Sequence, residues 1–357
     1  MSTIQTSQTS IRHSQAGMVS IMTTMVLMIV ISLIVLGFAQ LSRRNQRETL
    51  DRQLSSQAFY AAESGVNDVR ELINAALATG TATVPEKNGC TDTGTGGFYA
   101  SLNSTIDAAT NVEYTCLLVD PSPETLRYSD IGTTSTVVPL ISASGTPISQ
   151  INLNWQSKVT GSNPTTGCPT STASAVFTPA SGWSCGYGIL RIDLVPTSGS
   201  LSSDSLRTNT MTTFAVPLNA AGTNAANYAT STNNNRLGVR CSSTGCSLEI
   251  GNLGQTSYYM RVSSIYHSSA LQVSAESSGG TPLELTGAQA VIDATGKAQD
   301  VLRRIQVHVP LRASSENQLS DYAIQSTDGI CKRFSVMDGY FDSNVNGVTS
   351  TNQFCQP

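Results

Sequence analysis

The sequence predicts an α+β protein: one long N-terminal helix, apolar in its first half, followed by a disulfide-bonded, β-rich globular domain. Three observations predict it. Residues 18–39 contain no charged side chain. The apolar residues that follow recur at intervals of three and four as far as Leu77. Beyond about residue 80 the texture changes to short apolar runs between Gly, Ser, Thr, Asn and Pro, and all eight cysteines lie there.

The uncharged stretch, MVSIMTTMVLMIVISLIVLGFA, is bounded by Arg12 and His13 before it and by Arg43, Arg44 and Arg47 after it. A helix rises ~1.5 Å per residue, so such a stretch covers a hydrocarbon core of about 30 Å. A cleaved signal peptide would have a shorter apolar region followed by small residues at a cleavage site. Past the arginines, Leu50, Leu54, Ala58, Ala61, Ala62, Val66, Val69, Ile73 and Leu77 form one helical stripe. Arg47, Asp51, Arg52, Gln53, Asn67, Asp68 and Arg70 occupy the other face. No proline occurs between Met1 and Val84, and Gly80 with Pro85 supplies the stop. Gly65 lowers helix propensity by about 1 kcal/mol and permits a bend. The reading is one helix over residues 18–79, with 18–41 in lipid and 42–79 amphipathic and packed on the globular part. A membrane anchor followed by an unrelated helix is the competing reading.

A short polar leader ending in Gly17, an uncharged helix, and the run DRQLSSQAFYAAESGVNDVRELI resemble the N-terminus of type IV pilin-like proteins. The nearest resemblance is to PilX-like minor pilins, through Gln57-Ala58-Phe59-Tyr60-Ala61-Ala62-Glu63-Ser64-Gly65. It covers roughly residues 12–75. The resemblance implies a pilin-like helix and a leader, residues 1–17, removed by a prepilin peptidase between Gly17 and Met18. It also implies other pilin subunits as partners through the helix, and residence in the cytoplasmic membrane before assembly. Major pilins usually carry glutamate at the fifth mature position, where this chain has Met22. That departure resembles the PilX-like group and the tip subunits of type II secretion pseudopili, and a carboxylate in lipid is costly without a partner. The function implied is a minor structural subunit of a type IV pilus that helps assembly or presents an adhesive domain. The alternatives are a tip pseudopilin of a type II secretion system, or a membrane-anchored surface adhesin that does not polymerise.

Two signals of orientation conflict. Arg12 before the span against Arg43, Arg44, Arg47 and Arg52 after it would place the C-terminus in the cytoplasm. An even set of cysteines, Cys90, Cys116, Cys168, Cys185, Cys241, Cys246, Cys331 and Cys355, reads instead as a disulfide framework formed outside it. The cysteines, together with the leader-inside entry of pilins, favour an extracytoplasmic domain over residues 80–357, then the pilus or cell surface. Eight cysteines allow 105 connectivities. Neighbour pairing (90–116, 168–185, 241–246, 331–355) is preferred because each pair brackets a loop-like stretch. Without CxxC, and with three histidines, zinc is a poor use for them.

In the globular part, Ile151, Leu153, Trp155 and Val159 read as one face of a strand, and residues 188–195 as a buried strand. Residues 256–266 are rich in Tyr and Val, and strands at 290–293 and 301–309 flank Ala294-Thr295-Gly296-Lys297, read as a hairpin connection. Residues 197–210 and 219–235 read as long surface loops. One subdomain or two are both compatible with the length. Charged residues are 12% of the chain and the net charge is −4, which offers no basic stripe for nucleic acid.

Asp342-Ser343-Asn344-Val345-Asn346-Gly347 matches the start of a calcium loop, which Val348, Ser350 and Gln353 would continue. One carboxylate neutralises Ca²⁺ poorly, so any binding would be weak; Asn346-Gly347 reads equally as a β-turn. No other cofactor is indicated. No HExxH, GxSxG or phosphate-binding glycine loop is present, and His267 and His308 sit in expected strands without a nucleophile motif, so no enzyme activity is expected.

Overall fold

The computed structural model describes residues 16–78, 84–90, 97–159, 164–171, 180–197, 206, 208–219, 222–228 and 236–311. Helix α1, Ala16–Ala78, is unbroken over 63 residues. The strands are β1 (Thr105–Asp107), β2 (Val112–Asp120), β3 (Thr125–Ile131), β4 (Thr136–Ser142), β5 (Gln150–Ser157), β6 (Ile189–Pro196), β7 (Met211–Asn219), β8 (Ala225–Asn227), β9 (Arg236–Cys241), β10 (Cys246–Gly251), β11 (Ser257–Ile265), β12 (Ser269–Glu276), β13 (Leu285–Thr286), β14 (Gln289–Ala298) and β15 (Val301–Pro310). The α+β layout expected from the sequence is present: one long apolar helix, then a strand-rich, disulfide-bonded part. The chain forms two compact units. Among the described residues, the first holds those within 16–75, 85–119 and 292–307; the second holds those within 76–84, 120–291 and 308–311.

In the first unit the sheet order is β1-β2-β14-β15. The helix meets this sheet through small residues. Ala58 and Ala61 share a buried cluster with Val112 and Ala298, flanked by Leu54 and Val301. Gly296 faces the helix so closely that an added Cβ would strike the Ala58 carbonyl and the Ala62 amide, and would stand 2.9 Å from the Ala61 Cβ. The hairpin connection read at residues 294–297 is instead continuous strand within β14, and its glycine marks the helix contact, not a turn. The turn lies at Gln299 and Asp300, with Gln299 taking the left-handed conformation at φ 55°. Gly65 plays the matching part on the helix: a Cβ there would lie 3.1 Å from the Tyr114 ring, and the Tyr114 hydroxyl donates to Asp68 at 3.1 Å. Burial and the Asp68 carboxylate push the Tyr114 pKa up. Arg303 adds a hydrogen bond of 2.7 Å to the Ser55 hydroxyl.

Two further features brace the sheet. Arg304 forks onto the buried Asp293 carboxylate, with Nε at 2.7 Å from one oxygen and 2.9 Å from the other. Cys90 is bonded to Cys116 of β2, and the Lys87 and Val119 backbones exchange hydrogen bonds of 2.9 and 3.0 Å.

In the second unit ten strands run in one sheet, in the order β13-β4-β11-β6-β7-β9-β10-β5-β12-β3, and β8 pairs with β10. Strands β7 and β9 are parallel, as are β8 and β10. Alternation of side chains sends one face inward: Ile151, Leu153 and Trp155 from β5, Tyr258, Met260 and Val262 from β11, and Leu271, Val273 and Ala275 from β12. All of them enter a single buried cluster with residues of β3, β4, β6, β9 and β10. One face of one sheet can supply a single core only by curling over on itself. Cys168–Cys185 and Cys241–Cys246 are further disulfides.

The expected strand at 151–159 ends at Ser157, and Val159 stays 41% exposed. Within the expected loop 219–235, residues 225–227 form β8, because their backbones pair with Glu249–Gly251. His267 lies in the turn joining β11 to β12, not in a strand; its carbonyl accepts from the Ser264 hydroxyl at 2.6 Å.

Placing any β-branched side chain at Gly296 forces the helix off its seat. Gly296→Val is expected to destabilise the first unit by about 1–3 kcal/mol, read by chemical denaturation followed by circular dichroism; an unchanged midpoint would contradict the close approach. The Cys168–Cys185 link spans 17 residues. Its double replacement by Ala is expected to cost the second unit about 3 kcal/mol, measured as a lower unfolding midpoint than the untreated protein.

Candidate functional site

Two surfaces stand out, one apolar and one polar. The apolar one is the first third of α1. Between Val19 and Leu41 every large hydrophobic side chain is exposed, from 47% at Val30 to 72% at Met28. No Asp, Glu, Lys or Arg interrupts this length, and it is long and apolar enough to cross a membrane. Farther along, burial appears on one side only: Ala58, Ala61, Ala62, Val66, Val69 and Ile73 are buried while Phe59 and Tyr60 remain exposed. Leu50, expected on the packed stripe, is 56% exposed, so packing begins at Leu54. One continuous helix therefore carries a docked part and a part that water solvates badly.

The polar surface is a groove on the outward face of the second unit. Strand register aligns Arg127 of β3 with Gln272 of β12, Gln272 with Asn154 of β5, and Asn154 with Ser247 of β10. These four side chains form a lane that crosses four strands. Two concavities share Asn154, Gln156 and Gln272 as floor. One, of about 360 Å³, is walled by Arg127, Tyr128 and His308; the other, of about 390 Å³, by Ser242, Thr244 and Ser247.

Each end of the groove is held from behind. At the first, the buried Gln289 amide pairs with the free edge of β3: its oxygen accepts from the Arg127 amide at 2.9 Å and its nitrogen donates to the Arg127 carbonyl at 2.8 Å. At the second, the Cys241–Cys246 bond closes the β9–β10 turn, and the Tyr187 hydroxyl donates to the Ser242 carbonyl at 2.8 Å.

The hydrogen bonding of neighbouring polar side chains on this face differs. Farther along the strands, Gln150 donates to Asn152 on the same strand at 2.8 Å and Asn152 donates to Glu276 of β12 at 2.7 Å, so these side chains satisfy one another. In the groove, the Asn154, Gln156 and Gln272 amides and the Arg127 guanidinium have no hydrogen-bond partner among the described residues. His308 Nδ1 is buried and likewise unpartnered. Burial first, and the Arg127 charge second, hold the His308 pKa below its ordinary value of 6.5. Burial against the core raises the Tyr128 pKa.

Of the disulfide candidates, the structure joins Cys90 to Cys116, Cys168 to Cys185 and Cys241 to Cys246. Cys331, Cys355 and the calcium-loop residues Asp342, Asn344, Asn346, Val348, Ser350 and Gln353 lie outside the described residues, as does His13. Gly17 and Met18 fall within the first turns of α1. Among the described residues no three His, Cys, Asp or Glu side chains converge as a metal would require. The groove escaped sequence reading because its residues come from positions 127, 154, 247 and 272, which only strand register brings into line. Comparisons with family models, curated proteins and solved structures return no match for this chain.

A histidine held neutral in the folded state makes stability depend on pH. Below 6.5 the unfolded chain binds a proton that the folded chain refuses, so stability falls as pH drops through 6.5 and keeps falling until the folded value is passed. His308→Gln is expected to flatten the decline in unfolding midpoint between about pH 7 and pH 5; an unchanged slope would contradict the assignment.

Proposed function

We propose that the protein is a minor, PilX-like pilin subunit: a structural and interaction protein that enters the cytoplasmic membrane by its helix and presents the β-rich part outside. The carrying observation is that one uninterrupted helix, Ala16–Ala78, bears both an exposed apolar third and a face of small residues docked on a sheet. An independent anchor would need no such continuity. A subunit of a helical bundle would, because its apolar part must be carried from lipid into contact with sister helices in register with the docked domain. The leader glycine Gly17 and the Ala58–Gly65 run support the same reading, as does Met22 in place of a buried carboxylate. Disulfides at Cys90, Cys168 and Cys241 support a domain matured outside the cytoplasm.

Mass spectrometry of the mature N-terminus tests the proposal. Removal of residues 1–17, leaving N-methylated Met18, is expected, and Gly17→Ala should slow processing and deplete the subunit from sheared filaments. An intact leader with the protein retained in the membrane would point instead to a surface adhesin that does not polymerise. Cleavage after Ala39 would defeat both.

A further inference from the structure

We infer that the groove across β3, β12, β5 and β10 is a glycan-binding site, taking an extended oligosaccharide whose acidic sugar lies at the Arg127 end. The inference rests on the proposed function only in placing the domain outside the cell.

The chemistry of the lane selects the ligand. Each carboxamide offers two N–H donors and one acceptor oxygen. Asn154, Gln156 and Gln272 hold these groups open, while the nearby Gln150, Asn152 and Glu276 side chains bond to one another. Sugar hydroxyls also donate and accept, so a row of open amides matches a row of vicinal hydroxyls. Strands stand about 4.8 Å apart, so a lane over four strands measures about 14 Å, roughly the length of three pyranose rings.

Other ligand classes fit less well. An added peptide strand needs a free sheet edge, and Gln289 caps the edge of β3 at Arg127. Nucleic acid needs several cations aimed at phosphates; the groove lining supplies Arg127 alone among Lys and Arg. The Arg127 guanidinium gives that end a planar, charged set of donors suited to a carboxylate. Tyr128 contributes part of the wall there, its side chain packed against the core.

The test is direct binding of the full-length protein in detergent to immobilised neutral, uronate-bearing and sialylated oligosaccharides. Retention of carboxylate-bearing glycans is expected. Gln272→Leu and Asn154→Leu should weaken it at least tenfold. Arg127→Ala should erase the preference for acidic over neutral glycans, and Ser274→Ala, outside the groove, should leave binding unchanged. Unfolding midpoints of the variants matching the parent would exclude misfolding as the cause. Retention of no glycan, or retention indifferent to the three groove substitutions, would overturn the inference. A mature N-terminus at Met18 in a protein that retains no glycan would overturn this inference alone and leave the pilin reading standing.

Discussion

The close approach of helix α1 to its sheet is the contact on which the first unit depends. Ala58, Ala61, Ala62 and Gly65 offer almost no side-chain bulk, and Gly296 with Ala298 on β14 offers as little in return. Backbones can then meet nearly directly, which gains dispersion over a wide contact without large side chains to order. The fit is shape-dependent, so it fixes the rotation of the helix about its own axis. Tyr114 against Gly65, with its hydroxyl on Asp68, and Arg303 on Ser55 reinforce that rotation with polar contacts. A rod held in this way transmits the position of the docked part to the exposed apolar part, because no proline or irregular turn lies between them.

Much of the helix was legible in the sequence, because its two signals are compositional and periodic. The absence of charge over 18–39 and the three-four spacing beyond it do not depend on anything far away in the chain. Glycines misled. Gly296 reads as a turn and Gly65 as a bend, yet both mark places where another part of the molecule comes close. The real turn uses Gln299 at positive φ, a position with no sequence signal. Inward faces of β5 and β6 were readable from alternation and from a continuous apolar run; the extent of β5 was not, since Val159 continues the pattern past the last pairing residue.

The polar groove shows the other limit. Asn152, Asn154 and Gln156 look equivalent on the outer face of one strand, and the neighbours each side chain meets, on its own strand and across the sheet, separate them. Asn152 meets Gln150 and Glu276 and is satisfied; Asn154 meets Gln272 and Ser247 and stays open. An unfilled hydrogen-bonding capacity depends in part on register, here on Gln272 and Ser247 beside Asn154, which local propensity does not encode.

The continuity of the helix is tested most directly by a distance across its middle. Spin labels carried by non-canonical residues at Val30 and Arg70, so that the disulfides stay intact, span 40 residues of helix in the protein embedded in a lipid nanodisc. A single rod requires one narrow distribution centred at about 60 Å, from a rise of ~1.5 Å per residue. A broad distribution, or one displaced to much shorter distances, would mean that the apolar and docked parts are separate helices and would contradict the rod.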